Sequence, residues 1–292
     1  MLIEEIMGEF FKNRRKEQRC KVDSLVDGIC DRRTYYAIED GKQRMNFIFF
    51  MDLSSSLGLS LDEIALKVFD YQLSPNQEFM KKSLNFYFTK NVISLKELYQ
   101  TRVAEKGLDN ADHAHLLSVA ALINDMDPEF AIPPKMVEKV AEYFFILSYW
   151  SGNDLMIFVN LSDVLPFKIM KQTVRRIFEQ KEALCFENKN KQNFLILLIN
   201  VSYRCLREND LAYAAELFSE IEAVLATQRN EENIHLRFLF KFMKGYYFLL
   251  SGKKEIGLRM MDSALAVFTI NECFELVDKL RTYYNEALKQ VE

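Results

Sequence analysis

The chain has 292 residues, which exceeds one typical domain, since single hydrophobic cores stop growing near about 250–300 residues. Hydrophobic residues make up 49% of it and charged residues 27%, so it can bury a sizeable core and is not disordered. With only 9 Gly and 5 Pro, the composition disfavours turn-rich β-sandwiches and glycine-rich phosphate-binding folds, and it predicts an all-α protein. The net charge of −4, taken alone, argues against nucleic-acid binding, because a protein that neutralises phosphates needs a basic surface.

The reactive side chains match none of the common catalytic or metal sites. The five cysteines are scattered and include no Cys-x-x-Cys pair, which predicts neither a disulfide framework nor a zinc site and fits a reducing cytosol. The three histidines form no His-x-x-x-His motif, and neither Gly-x-Ser-x-Gly nor a phosphate loop is present. We therefore expect no catalytic residues, no metal and no cofactor.

Nothing in the sequence predicts a membrane segment. The longest apolar run, 194–199, is far shorter than the roughly 20 residues that span a bilayer. The N-terminus is acidic and lacks the basic start and apolar core of a secretory signal. We expect a cytoplasmic protein.

The N-terminal segment begins with two predicted helices. Leu2, Ile6 and Phe10 form one apolar stripe at helical spacing, and the basic run 12–16 follows it. A second, short helix is predicted over 22–27.

Three more helices are predicted before residue 68. A turn at 28–30 precedes Asp31, which is a good N-cap for a helix over 32–39. The apolar residues of 45–57 predict a fourth, mostly buried helix, and 57–64 predicts the start of a fifth. Two short helices joined by a tight turn within a five-helix unit are typical of a helix-turn-helix.

The average charge conceals a basic segment on this motif. Between Lys12 and Arg44 there are ten basic and six acidic residues, a local net charge of +4 in a chain of −4. The electrostatic argument against nucleic acid therefore does not hold for the helix-turn-helix, and double-stranded DNA is its expected partner.

The rest of the chain also shows helical periodicity, with a weak internal repeat. Small residues around Gly245 and Gly257 stand where two antiparallel helices must touch closely, and Ala214 precedes Gly257 by 43 residues in a similar pattern. This resembles the tetratricopeptide repeat, whose usual period is about 34 residues. We predict a helix-turn-helix domain over 1–68, a linker at 69–74, and a TPR-like helical-repeat domain of four or five hairpins over 75–292.

Three segments of the first domain resemble the phage-repressor-type (XRE, Cro/CI) DNA-binding domain: 25–27, 35–41 and 57–64. The chain as a whole resembles the Rgg family (Rgg/GadR/MutR type) of transcription regulators, which joins such a domain to helical repeats that sense short peptides. The resemblance implies a quorum-sensing regulator that answers to a short hydrophobic peptide. The chain departs from this domain class at two places. Lys21-Val22 stands where the class often has Ser-Gln, which removes one phosphate-binding amide, and Ala37 stands where relatives often carry Arg.

Candidate DNA-binding residues follow from the geometry of the motif, whose second helix enters the major groove. Residues at the start of that helix are candidates for base edges, and those around it for phosphates. The predicted set is Arg14, Lys21, Arg32, Arg33, Thr34, Tyr36, Lys42 and Arg44. The resemblance further implies that Arg15 and Glu39 form a structural ion pair. One motif offers too few contacts for specific affinity, so we expect a homodimer.

Candidate peptide-binding residues lie in the repeat domain. Asn160 and Asn200 interrupt apolar runs, and a buried amide needs a partner, either a neighbouring helix or the backbone of a peptide in the concave face. Basic side chains nearby either bind carboxylates or form solvated faces. The predicted set is Asn160, Asn193, Asn200, Tyr203, Arg204, Arg237 and Lys241.

Two alternatives remain open on the sequence alone. In the first, the chain is a protein-interaction module with a degenerate helix-turn-helix. In the second, it is a DNA-binding regulator that responds to no peptide.

Overall fold

We analysed a computed structural model that describes residues 3–68, 73–185, 188–229 and 231–291. All regular structure in these ranges is α-helical, which confirms the predicted fold class. The chain divides into two compact units, Met1–Phe79 and Met80–Glu292. Leu2 of the predicted first stripe and residues 69–72 of the predicted linker lie outside the described residues.

The first unit contains the five predicted helices. They are α1 (Ile3–Glu17), α2 (Val22–Val26), α3 (Arg32–Glu39), α4 (Phe47–Ser56) and α5 (Leu61–Val68). All five contribute apolar side chains to one core, in which Phe11, Tyr35, Leu53 and Leu57 are fully buried. Gly28, with φ of +73°, turns the chain between α2 and α3, completing the helix-turn-helix.

The prediction of a mostly buried α4 was wrong for one of its faces. Phe47 and Ile48 are 71% and 73% exposed, and Met51 is also exposed, whereas Phe49 and Leu53 are buried. A ten-residue helix packs only one side against a small core, so half of a nearly continuous apolar run faces solvent.

Two glycines bring α1 and α3 unusually close together. A Cβ atom added to Gly8 would lie 2.3 Å from the carbonyl oxygen of Ile38 and 2.8 Å from that of Glu39. Gly41, just after α3, has φ of +68°, and a Cβ there would lie 2.8 Å from the Cα of Glu5. The position of α3 on α1 therefore depends on the absence of side chains at both sites.

The second unit is built from the helices that follow. They are α6 (Pro75–Phe88, which begins in the first unit), α7 (Val92–Val103), α8 (Asn110–Met126), α9 (Pro134–Ile146), α10 (Gly152–Leu161), α11 (Phe167–Glu179), α12 (Lys181–Leu184), α13 (Asn188–Arg207), α14 (Leu211–Ala226), α15 (Ile234–Leu250), α16 (Lys254–Ile270) and α17 (Phe274–Val291). Helices α8, α10, α13, α15 and α17 contact one another in series, and α9, α14 and α16 pair with α8, α13 and α15. This is the predicted arrangement of repeated helix hairpins.

The close contact predicted for the last hairpin is present. A Cβ on Gly245 of α15 would lie 2.7 Å from Cγ of Met261, and one on Gly257 of α16 would lie 2.7 Å from the carbonyl oxygen of Gly245. Helices α14 and α16 begin 43 residues apart, at Leu211 and Lys254, which is the displacement seen in the sequence. No helix in the described part of the chain combines the length and the apolar character needed to cross a membrane.

Candidate functional sites

The first turn of α3 is capped by Asp31. Its carboxylate accepts a hydrogen bond from the backbone N–H of Thr34 at 2.9 Å and another from the Thr34 hydroxyl at 2.7 Å. These bonds lower the pKa of Asp31, the backbone bond having the largest effect. The hydroxyl of Thr34 is thus engaged by the cap, and we leave Thr34 out of the proposed base-reading set.

The two faces of α3 are cleanly separated. Tyr35, Ile38 and Glu39 are buried against the core, while Arg33 is exposed and Tyr36 is 49% exposed on the opposite face. Residues three apart on a helix are neighbours, so Arg33 and Tyr36 present one outward surface. Of the two tyrosines, Tyr35 packs inward and Tyr36 faces solvent.

The ion pair between Arg15 and Glu39 is present and links α1 to the end of α3. Nε of Arg15 donates to Oε1 of Glu39 at 2.6 Å, and its second nitrogen donates to Oε2 at 3.0 Å. The Glu39 side chain is almost fully buried, at 1% exposure, so its charge depends on this bidentate partner. The hydrogen bond that Arg15 donates to Glu39, together with the negative charge of Glu39, raises the pKa of Arg15, and burial opposes this. Together with Gly8, this pair fixes α3 on α1.

The two arginines at the start of α3 differ in what they contact. Arg32 donates two hydrogen bonds to the carboxylate of Asp23 on α2. The exposed side chain of Arg33 forms no hydrogen bond or ion pair with any of the described residues. Arg33 is therefore the base-reading candidate whose charge and donors are unused.

Two further basic candidates, Lys42 and Arg44, follow α3 and form exposed ion pairs. Lys42 lies 3.0 Å from Asp40, which also binds Lys12 at 3.1 Å, and Arg44 lies 2.9 Å from Glu4. These pairs are exposed and can exchange for phosphate contacts at little cost.

Two basic candidates lie away from α3. Lys21 precedes α2, is exposed, and its side chain has no partner among the described residues. Arg14 lies 4.0 Å from Glu17, and its Nε is buried without a hydrogen-bond partner, which makes it the least suited of the set to bind DNA.

A groove of about 710 Å³ lies within the second unit, along α6, α8, α10, α13 and α17. Asn160 of α10 and Asn200 of α13 both line it. Its apolar walls include Leu84, Leu122 and Val137. The polar and charged side chains that also line it are Tyr87, Ser118, Asn124, Asp125, Ser162, Asp163, Arg207 and Lys279.

Three of the other predicted peptide-binding residues have structural roles. Tyr203 is buried and donates to Glu286 at 2.5 Å. Arg204 is 14% exposed and donates to Glu208 at 3.2 Å and to the carbonyl oxygen of Asp163.

Arg237 closes the end of α14. It donates to the carbonyl oxygens of Leu225 at 2.9 Å, Arg229 at 3.2 Å and Gln228 at 3.4 Å. Asn193 and Lys241 are partly exposed and are not among the residues that line the groove.

The sequence reading missed several polar residues of the groove. Arg207 shares a helical stripe with Asn200, but the same stripe contains Arg204, which faces the α10–α11 connection instead. Asp125 and Lys279 lie far from Asn200 in sequence, and only the packing of α8 and α17 around α13 brings them together. No periodicity within a single helix signals such a convergence.

The described residues include no group of three or more His, Cys, Asp or Glu side chains that could hold a metal ion. The four cysteines that are at least partly accessible are Cys20, Cys30, Cys185 and Cys273, and no two of the five cysteines are bonded to each other. Burial raises the pKa of Cys30, with Asp31 adding to the effect, which makes its thiol less reactive.

Comparison with solved structures gives similar folds over nearly the whole chain. A putative transcriptional regulator from Listeria monocytogenes matches with a TM-score of 0.77 at 14% identity, over 98% of each chain. The SHP pheromone receptor Rgg2 of Streptococcus dysgalactiae matches with a TM-score of 0.78 at 18% identity, over 96% of this chain and 98% of that one. The complex of PrgX with cCF10 matches with a TM-score of 0.72 at 14% identity, over 96% and 99%. These likenesses establish the fold, a helix-turn-helix unit followed by helical repeats.

The family is shown by a match to the sequence model of the C-terminal domain of the HTH-type transcriptional regulator Rgg. The match covers residues 94–282, which is more than half of the chain and contains the groove helices α8, α10 and α13. The chain therefore belongs to the Rgg family of helix-turn-helix transcriptional regulators.

Proposed function

We propose that this regulator binds operator DNA through α3, with Arg33 reading base edges and Tyr36 beside it. The observation that carries the proposal is the outward face of α3, where Arg33 is exposed and unpaired on a helix fixed by its cap and by the Arg15–Glu39 pair. An arginine in the major groove binds guanine through two hydrogen bonds and discriminates by about 1–3 kcal/mol. Lys21, Lys42 and Arg44 then contact phosphates, which position the motif without reading sequence.

The proposed unit of binding is a homodimer on a two-fold-related operator in the cytoplasm, with no enzymatic step. A single helix-turn-helix contributes few base contacts, and two related half-sites one helical turn apart supply the rest. The protein as a whole is acidic, so its affinity for DNA rests on the basic 12–44 segment.

Selection from a randomised duplex pool tests this proposal. The full chain is expected to enrich an inverted repeat, and Arg33→Ala to enrich one that has lost its preference for guanine at the contacted position, with the same helix content by circular dichroism. Arg259→Ala, which changes an exposed basic residue of α16, serves as the control and should enrich the same repeat. An unchanged repeat from Arg33→Ala would show that another residue reads the bases.

We further propose that a short hydrophobic peptide binds the groove of the second unit and regulates DNA binding. Rgg2 is a receptor for the SHP pheromone, and PrgX was solved with cCF10. The chemistry of this groove suits such a ligand, because Leu84, Leu122 and Val137 offer apolar contacts beside Asn160 and Asn200. Each asparagine amide offers a donor and an acceptor, which is what the backbone of an extended peptide needs.

Affinity selection of synthetic hydrophobic octapeptides by the full chain tests the second proposal. Wild type should retain a subset of the pool, and a variant with Asn160→Ala and Asn200→Ala should retain much less. Asn153→Ala, at an exposed position of α10 that does not line the groove, is the matched control. Equal retention by the double variant and wild type would move the peptide site elsewhere, and retention of nothing by wild type would favour a regulator without a peptide.

A further inference from the structure

Two cations that line the groove lie over a stack of two tyrosines. Tyr203 of α13 and Tyr283 of α17 are stacked with their ring centroids 3.6 Å apart. The guanidinium of Arg207 lies 5.6 Å from the centroid of Tyr203, and Nζ of Lys279 lies 5.8 Å from that of Tyr283. Arg207 and Lys279 are exposed, and both line the groove.

The tyrosine stack is itself firmly anchored. Tyr203 is 3% exposed, and its hydroxyl donates to Glu286 of α17 at 2.5 Å. The rings therefore join α13 to α17 and fix where the two cations stand. A cation over an aromatic face is held by electrostatic attraction to the ring.

The acidic side chains of the groove have polar partners within the protein, whereas its basic side chains lack a carboxylate partner in the part of the chain that the structure describes. Asp125 accepts a hydrogen bond from Tyr87 at 2.5 Å, and Asp163 lies 4.0 Å from Arg204. Neither Arg207 nor Lys279, by contrast, is within ion-pair distance of a carboxylate among the described residues. Two carboxylates and two cations thus line the groove, and Arg207 and Lys279 are the two cations, neither of which is paired with a carboxylate among the described residues.

From this arrangement we propose that Arg207 and Lys279 form a carboxylate-binding subsite, so that the peptide ligand carries an acidic group. The inference rests on the peptide-binding function proposed above and adds to it the ligand's chemistry. An apolar peptide presents a carboxylate either at its C-terminus or on an Asp or Glu side chain. Both sources offer acceptors for charge-assisted hydrogen bonds from a guanidinium or an ammonium group.

Affinity selection with four defined pools of N-acetylated octapeptides distinguishes a C-terminal carboxylate from a side-chain carboxylate. The peptides are built from Leu, Ile, Val, Phe and Gly. The first pool has a free C-terminus and the second a C-terminal amide. The third has the amide and one Asp or Glu at a random position, and the fourth has the amide and one Asn or Gln there. The full chain should retain the first pool, the third pool or both at least about tenfold more than their neutral counterparts, because hydrogen bonds to a charged acceptor are stronger than those to a neutral one.

Variants assign the preference to the subsite. Changing Arg207→Gln together with Lys279→Gln should remove the preference for acidic peptides, and Lys279→Gln alone, at an exposed position, should reduce it. Arg281→Gln, two residues along α17 at an exposed position that does not line the groove, is the matched control and should keep it. Circular dichroism confirms that each variant is folded.

Three results would overturn the proposal. Equal retention of all four pools would do so while leaving peptide binding itself intact. A preference that survives in the folded double variant would show that the carboxylate binds elsewhere. Retention of no pool by wild type would remove the peptide-binding function and this subsite with it.

Discussion

Arg32 and Asp23 form a two-bond ion pair that ties the first turn of α3 to the first turn of α2. Asp23 is the acidic residue at the start of α2, and Arg32 is the first residue of α3, so the pair bridges the two helices of the motif. The two adjacent arginines therefore differ in what their side chains contact. The side chain of Arg32 joins the two helices, whereas that of Arg33 is exposed and has no partner among the described residues.

This difference predicts unequal losses from two similar substitutions. Arg33→Ala should weaken operator binding by about 1–3 kcal/mol, or roughly 5- to 150-fold, because a bidentate base contact is lost. Arg32→Ala should weaken it less, since Asp23 already offsets the charge of Arg32. Fluorescence anisotropy with the selected operator and with a scrambled duplex measures both. A larger effect from Arg32→Ala would reverse the assignment.

The buried pair between Arg15 and Glu39 predicts a stability effect. Glu39→Gln removes the charge that compensates the partly buried guanidinium, and should lower the free energy of unfolding of the first unit by about 2 kcal/mol. Differential scanning calorimetry of the full chain measures the change. Glu17→Gln, at a residue whose side chain is 69% exposed and lies 4.0 Å from Arg14, is the matched control and should cost less than about 0.5 kcal/mol. Equal costs would show that burial of the pair is unimportant.

The close approach of α1 and α3 predicts that Gly8 tolerates no side chain. A methyl group at Gly8 would meet backbone oxygens of α3 at 2.3 and 2.8 Å, which cannot move without shifting the recognition helix. Gly8→Ala should therefore destabilise the first unit by about 1–3 kcal/mol and weaken operator binding, although alanine favours helix formation. Glu9→Ala, at the neighbouring exposed position, is the control in the same calorimetric and anisotropy measurements. Stabilisation by Gly8→Ala would contradict the packing described.

The N-cap of α14 predicts a pH dependence in the second unit. Lys171 lowers the pKa of Asp210 below its ordinary value of 3.8, the backbone N–H of Tyr213 adds to this, and burial opposes it. Because the folded-state pKa is lower than the unfolded one, the stabilisation is present above about pH 4 and is lost as the pH falls through the folded-state pKa. Asp210→Asn should thus be less stable than wild type near pH 6, with the difference shrinking below pH 4.

Urea unfolding measures this dependence through Trp150, which is the single tryptophan of the chain and is buried in the second unit. A difference between wild type and Asp210→Asn that stays constant from pH 6 to pH 3 would contradict the assigned role. Asp262→Asn, at an exposed position of α16, serves as the control.

Much of the first unit could be predicted from the sequence because its signals are local. Asp31 caps α3, Gly28 turns the chain, and the pattern of Tyr35 and Ile38 identifies the buried face. The exposed face of α4 could not be predicted. Apolar residues occupy both sides of this helix, so the sequence shows no helical alternation of apolar and polar residues that would identify the buried side. The hydrogen bond from the Thr34 hydroxyl to the capping residue Asp31 is also a local contact. Thr34 was nevertheless predicted to contact DNA, because only its position in the helix was considered.

The groove of the second unit was only partly accessible to sequence reasoning. Asn160 and Asn200 could be identified because each interrupts an apolar run, but Asn160 is exposed and Asn200 is half-buried, so the expectation of buried amides was wrong. Tyr203 and Arg237 could not be separated from ligand-binding residues, since their partners, Glu286 and the end of α14, are tertiary or loop contacts. The contribution of α17 to the groove, through Lys279, depends on packing across 72 residues of chain from Arg207.

The most direct test of the central claim is a salt titration of binding to a random-sequence duplex, because phosphate contacts act on any sequence. The account predicts measurable affinity of the full chain at low salt and a linear fall of log affinity with log salt concentration. Replacing Lys42 by Ala should reduce that slope by about one. No binding to any duplex at low salt, by folded wild-type protein, would contradict the account and leave the helix-turn-helix as a protein-interaction module.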